Sequence, residues 1–443
     1  VVAAAPEAPS GAMTLEQALD YAHAHRPDLR GAVARIAAAE SSASATRARW
    51  YPTVFGVAEA LVGTTNNTTG SYVGVGGIDN PRVSATRADS QSDASFQPAV
   101  STLAGLGVRQ EVYDFGAIAA RAAADDMRVR AERATSDDVR LVADYDVEEA
   151  YFAVLAAKRV LDAAEKAYTR TAVHRDYAKA GVDSGMRRPI ELTRAEAALD
   201  RYEIERIRAR AGVAKAQATF AASISAPQPL LDIAGDPPEP RALPSAAAVR
   251  DAIGRNPELL RALADVEAQR ATTKAIGTET RPNLFLTGAL TGNAGGATPT
   301  GGDVPAGSGL LPIVPNWDVG LVLSWPIFDE TVTKRAKASE HSTEAADARA
   351  TSVRRTLVAE VESAYVDVSA SHDALAVLDH SLKAAIANYD QASARFDVGV
   401  GNAVELADAE ELRTEAEIDL ALGNFDFART RAALARLATE PPR

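Results

Sequence analysis

The chain has no cysteine among its 443 residues. That absence excludes disulfides, thiolate metal sites and a lipid-modified cysteine within this sequence. Aromatic residues are scarce, at 5%, while alanine is abundant. Such a composition suits long, closely packed helices better than a bulky globular core. No run of 18 apolar residues occurs, which argues against a transmembrane helix. It does not exclude a transmembrane β-barrel, whose strands give only weak alternating signals. An excess of positive charge is also missing. The net charge of −13 argues against a nucleic-acid partner, because phosphate binding needs clustered Lys and Arg. The small, proline-bearing start from Val1 to Ala12 reads as the stretch after a removed signal peptide, so export by a leader absent from this chain is the expectation.

What is present is a duplication. Pro27, Leu29 and Pro52 recur 230 positions later as Pro257, Leu259 and Pro282. Asp183, Gly185, Ile190-Glu191-Leu192 and Ala195-Glu196 recur after 214 as Asp397, Gly399, Val404-Glu405-Leu406 and Ala409-Glu410. Two constant spacings mean one duplicated unit with a length change in between, and each unit is far longer than a solenoid repeat. The organisation expected is a tail at 1–13, a first repeat at 14–222, a Pro-rich linker at 223–244, a second repeat at 245–438 and a tail at 439–443.

Each half reads as helix, strand, long polar loop, strand, very long helix, tight turn and helix. Thr14 with Gln17 forms a capping box, and Ser245 caps the matching helix. Strands are expected at 52–62, 102–112, 283–291 and 317–327. The polar loops are placed at 63–100 and 292–315 by their Gly, Ser, Thr, Asn and Pro content. In the last strand Trp317, Val319, Leu321, Leu323, Trp325 and Ile327 alternate with Asp318, Gly320, Val322 and Ser324. Trp317 and Trp325 stand roughly 26 Å apart at the usual strand rise, close to the roughly 25 Å apolar band of an outer-membrane barrel. An ordinary sandwich strand with two core tryptophans reads equally well. The long helices carry heptads: Val361, Val368, Leu375, Leu382, Tyr389 and Phe396, matched by Val147, Val154, Leu161, Tyr168, Arg175 and Val182. A helix from about Ile118 to Val182 spans roughly 95 Å at 1.5 Å per residue, a rod or a stave rather than a compact domain.

Four strands cannot close a membrane barrel, since barrels start at about eight and every edge must be paired. If these strands are membranous, several copies must share one barrel. The order and spacing of Leu15-Glu16-Gln17-Ala18-Leu19, Arg26-Pro27-Asp28-Leu29, Asn256-Pro257-Glu258-Leu259, Trp50-Tyr51-Pro52, Ala150-Tyr151, Ala364-Tyr365, Pro326-Ile327-Phe328-Asp329 and Gly399-Val400-Gly401-Asn402-Ala403-Val404-Glu405-Leu406 resemble the TolC-like outer membrane efflux proteins over nearly the whole chain. The resemblance implies a mainly α fold with β: a duplicated protomer whose coiled-coil helices build an α-barrel across the periplasm and whose four strands enter a trimeric, twelve-stranded transmembrane β-barrel. It implies a homotrimer in outer-membrane lipid, docked on a periplasmic adaptor (membrane fusion protein) and an inner-membrane pump. Such a duct exports drugs, toxins, metal ions or proteins, and does no chemistry.

The resemblance further places function at the two helix–turn–helix tips. Asp183, Gly185 and Pro189 on the first, and Asp397, Gly399, Val400, Gly401 and Asn402 on the second, are expected adaptor contacts. Glu405 and Asp408 match the family's acidic constriction, with Phe396 where the family often has tyrosine. Acids in a first helical turn are also favoured by the helix dipole alone. The family's basic pin at the tip falls on Gly401 here. Arg187, Arg188 or Arg194 could replace it by pairing with Glu405 or Asp408, or could be solvated turn residues. Trp317 and Trp325 are the expected membrane-interface aromatics.

An enzyme is not expected. The six histidines show no metal spacing that repeats between halves, and no nucleophile motif, phosphate loop or cofactor fingerprint stands out. Gly74-Val75-Gly76-Gly77 is loop glycine, and the Asn66 and Asn67 triplets are chance glycosylation matches. The rival reading from another class is a soluble coiled-coil scaffold with a small β-domain. A periplasmic adaptor fits less well, because it has one hairpin rather than two matching halves.

Overall fold

A computed structural model describes residues 11–64, 98–235, 243–295 and 314–438. Most of the expected tails and polar loops, the loop glycines 74–77 and the Asn66 and Asn67 triplets lie outside the described residues. The elements run α1 (Leu15–His25), α2 (Pro27–Arg47), β1 (Thr53–Thr64), β2 (Pro98–Tyr113), α3 (Ala117–Asp183) and α4 (Pro189–Ser223). They then repeat as α5 (Ala246–Ala252), α6 (Pro257–Gly277), β3 (Asn283–Gly295), β4 (Val314–Ser324), α7 (Glu330–Asp397) and α8 (Ala403–Leu437).

Local chemistry explains the boundaries. The Thr14 hydroxyl accepts the Gln17 N–H while Gln17 reaches back to the Thr14 N–H, completing the capping box. Pro27 and Pro257 begin α2 and α6, where a missing N–H costs nothing. Asp114 caps α3, accepting the N–H groups of Gly116 and Ile118. Asp329 does the same for α7 through the N–H of Thr331, at 2.8 Å.

The chain forms two compact units, each drawing on both sequence repeats. The first comprises the described residues of Val1–Ala37, Arg130–Ala264 and Asp347–Arg443. It holds two equivalent cores. In one, Val147, Tyr151 and Val154 of α3 pack with Phe220 and Ile224 at the end of α4. In the other, Val361, Val368 and Leu375 of α7 pack with Phe427 and Leu434 of α8. Met13 lies in the stretch expected as a tail, yet it is buried and bridges in parallel to Ile233 from the expected linker. Gly423 lets α8 approach α7, since a Cβ there would sit 2.3 Å from Leu378 Cδ1.

The heptad of α7 is buried from Val361 to Phe396, with Leu382 half-buried. That of α3 behaves differently. Val147 and Val154 are buried, but Leu161, Tyr168, Arg175 and Val182 are only half-buried. The buried seam passes instead to Ala164, Ala167, Thr171 and Ala178. Ala164, Thr171 and Ala178 share one heptad position, with Ala167 beside them, and these small side chains let the helices approach closely.

The second unit comprises Ala38–Val129 and Asp265–Ala346. Among its described residues is one antiparallel sheet, ordered β1-β2-β3-β4. Register aligns Gly56, Leu106 and Leu290 along one face with Trp317, and Val54, Val108 and Val319 lie beside them. This face is exposed: Leu106 at 60%, Leu321 at 65% and Trp317 at 78%. The opposite face carries Phe55, Arg109, Glu111, Phe285, Thr287 and Asp318. Gly107 is required there, because a Cβ would fall 2.5 Å from the Phe55 ring. β4 ends at Ser324, three residues short of expectation, because Pro326 cannot join the ladder. Trp325 and Ile327 continue the apolar alternation beyond the strand and are exposed.

Candidate functional site

The two tips, both within the first unit, close with the same backbone pattern displaced by 214 residues. In the first, Gly185 N–H bonds to Val182 O, and the N–H groups of Met186 and Arg187 bond to Gly181 O. In the second, Gly399 N–H bonds to Phe396 O, and the N–H groups of Val400 and Gly401 bond to Arg395 O. Gly185 and Gly399 take φ of 73° and 79°, the left-handed region that a helix C-terminus needs. Gly401 serves differently: a Cβ would lie 2.9 Å from the Phe396 nitrogen. Pro189 starts α4. Asn402 caps α8, its Oδ1 accepting the N–H groups of Val404 and Glu405.

Side chains on this shared frame are exchanged. In the first tip the arginine is Arg187 and the glycine Gly181; 214 residues on, those positions hold Gly401 and Arg395. Each arginine pairs with the glutamate at the shared position. Arg187 Nη1 lies 3.1 Å from Glu191 Oε2, and Arg395 Nε lies 3.5 Å from Glu405 Oε1. Within one chain Arg187 is thus neither paired with Glu405 or Asp408 nor a solvated turn residue. Arg187 also donates to Phe396 O at 3.2 Å and stacks 3.8 Å from that ring's centroid, tying one tip to the other. Arg188 and Arg194 are exposed, as are Asp183, Asp397 and Asp408. Met186, Ile190, Val398, Val400 and Val404 give the tips an exposed apolar surface.

Behind the tips lies a buried polar network that the sequence reading missed. Arg170 of α3 forks onto Glu410 of α8 at 2.7 and 2.9 Å, and Thr414 donates to the same carboxylate. Burial pushes the Glu410 carboxyl up, while the Arg170 fork, then Thr414 and Arg413, pull it down. Arg413 pairs with Glu417 at 3.1 Å and stacks 4.9 Å from the Tyr389 ring. His174 Nε2 lies 2.8 Å from the Tyr389 hydroxyl, and its ring meets Phe396 edge-on. Burial lowers the His174 pKa, with Asp397 pulling the other way. The advance signal lay in α8, where Arg413 interrupts the three-and-four spacing of Leu406, Ala409, Ala416, Leu420 and Phe427.

Among the described residues no three metal-ligating side chains converge, and no helix is long and apolar enough to cross a membrane. Two repeats of paired helices and a four-stranded sheet with one exposed apolar face are the parts of a channel protomer. The chain belongs to the outer membrane efflux protein family, whose model matches residues 18–226 and 248–440. It is a non-enzymatic conduit of the outer membrane, with its helical part in the periplasm. Solved structures of similar fold include the outer membrane channel CmeC of Campylobacter jejuni, 15% identical, with a TM-score of 0.75 over 99% of this chain and 90% of that one. The open-state outer membrane channel MtrE of Neisseria gonorrhoeae is 20% identical, with a TM-score of 0.71 over 96% and 89%. The outer membrane protein VceC of Vibrio cholerae is 15% identical, with a TM-score of 0.72 over 96% of each. No curated protein matches the chain in sequence.

Proposed function

We propose that three copies of this chain form the exit duct of a tripartite export system, coupled to a periplasmic adaptor and an inner-membrane pump. One observation carries the reading: the sheet exposes an apolar face on all four strands and leaves β1 and β4 as its outer strands. Burying each such large apolar side chain is worth about 1.5–3 kcal/mol. Lipid takes that face, and neighbouring copies take the edges. A soluble scaffold would leave both in water.

In this reading the apolar crown of Met186, Ile190, Val400 and Val404 meets the adaptor. Glu405 and Asp408, with Phe396 behind them, line the periplasmic constriction. They lie three residues apart on α8, so three copies bring six carboxylates into one ring that favours cations. Trp317 and Trp325 sit at the membrane interfaces. The test is conductance in planar bilayers. Glu405→Ala with Asp408→Ala is expected to raise conductance and lower cation preference, and unchanged selectivity would remove both residues from the constriction. Extraction only with detergent, as a trimer by light scattering, is expected of the whole protein.

A further inference from the structure

At the end of the sheet where β1 and β3 begin, an open pocket of about 560 Å³ lies wholly within the second unit. Five arginines line it: Arg49, Arg109, Arg121, Arg281 and Arg335. Three carboxylates face them, and each already has its own task. Glu279 holds both Arg121 at 3.0 Å and Arg335 at 2.7 Å. Asp114 caps α3. Glu111 lies 3.7 Å from Arg109, whose guanidinium stacks on Phe285. Two cations remain without an ion pair among the described residues. The Arg281 guanidinium donates only to Phe115 O, and the Arg49 side chain is exposed with no hydrogen-bond partner there.

The duplication explains the imbalance. Arg121 and Arg335 are equivalent positions, 214 apart, and Glu279 bridges them. The equivalent of Glu279 in the first repeat, 230 positions earlier, is Arg49. One repeat supplies the neutralising carboxylate and the other a further cation. Guanidinium groups without an ion pair offer the fork that matches a carboxylate or sulfonate.

We propose that this pocket binds small organic anions, carboxylates and sulfonates above all, with Arg49 and Arg281 taking the anionic group. Arg109 and Glu111 stand on the sheet face opposite the apolar one. If that apolar face meets lipid, the pocket opens to the channel interior and its ligand is a solute in transit. That destination rests on the channel reading above; the binding does not.

The test uses the whole protein in detergent and three matched probes in titration calorimetry: benzoate, benzenesulfonate and benzylamine. Both anions are expected to bind, and benzylamine at least tenfold more weakly. Arg49→Ala with Arg281→Ala should weaken both anions at least tenfold. Arg49→Glu, a change at an exposed position, repeats the first test if the double variant misfolds. Benzylamine binding as tightly as the anions, or anion binding unchanged in the arginine variants, would overturn the proposal. Bilayer conductance measured alongside separates the two readings. A conducting protein that binds none of the probes loses the pocket alone, whereas one that binds but never conducts loses the channel alone.

Discussion

Arg187 holds Phe396 twice, its guanidinium carbon over the ring at 3.8 Å from the centroid and its Nη2 donating to the carbonyl of the same residue at 3.2 Å. The two tips of one protomer are thus joined by a side chain of the first gripping a residue of the second. Gly181 makes room for it, because a Cβ there would lie 2.6 Å from Arg187 Cδ.

Arg187→Ala should loosen that grip. Conductance in planar bilayers is expected to rise and to fluctuate more. Arg187→Lys keeps the charge but loses the planar guanidinium over the ring, so it should restore the original behaviour only in part. Traces identical to the parent protein would mean that the grip plays no part in gating.

Buried behind the tips, Arg170 and Glu410 should depend strongly on each other. Removing either alone leaves an unpaired buried charge and should cost about 3–5 kcal/mol. Replacing both with leucine or methionine should cost far less. A double-mutant cycle on thermal midpoints in detergent reads the coupling, and additive losses would show that the two act separately.

Glu148 gives a pH dependence of definite sign. Burial, then the neighbouring charge of Asp144, pushes its carboxyl from 4.5 up to about 7, with Arg431 pulling back. Asp144 in turn lies 2.5 Å from His23. A raised folded-state pKa means that the native protein binds the extra proton between pH 4.5 and about 7. The stability from this group is therefore complete below pH 4.5 and is lost as the pH rises through 7. Glu148→Gln should stabilise the protein by about 1–3 kcal/mol at pH 8 and change little at pH 4. Thermal midpoints at the two pH values check it; equal shifts at both would refute it.

Parity on β4 makes neighbouring residues opposites. Val319 is on the apolar face and Asp318 on the polar one. Val319→Arg should cost about 2–4 kcal/mol in the bilayer and deplete the protein from the outer-membrane fraction. Asp318→Arg should insert normally. Equal recovery of both variants would contradict the assigned lipid face.

Much of this was legible in the sequence for a physical reason: long regular patterns survive reading one residue at a time. The α7 heptad is carried by large apolar side chains at fixed spacing, and from Val361 to Phe396 all but the half-buried Leu382 are buried. The lower seam of α3 was not legible, because Ala164, Ala167 and Ala178 give no hydropathy peak above an alanine-rich background. Apolar alternation ran past the end of β4, so Trp325 read as strand although Pro326 stops the ladder. The grip of Arg187 was hidden because one of its partners is a backbone carbonyl on a distant tip. The exchange of Arg187 and Gly181 for Gly401 and Arg395 was there to read once the 214-residue offset was applied position by position.

The open sides of the sheet also bear on biogenesis. With β1 and β4 outermost among the described strands, the sheet of one chain has two unpaired edges. If neighbouring copies close them, as proposed above, folding and assembly become one concentration-dependent event, and a newly exported chain must be sheltered until companions arrive. A copy spoiled at either edge would then disable the healthy copies it joins, so damage to one allele would spread to products of the other.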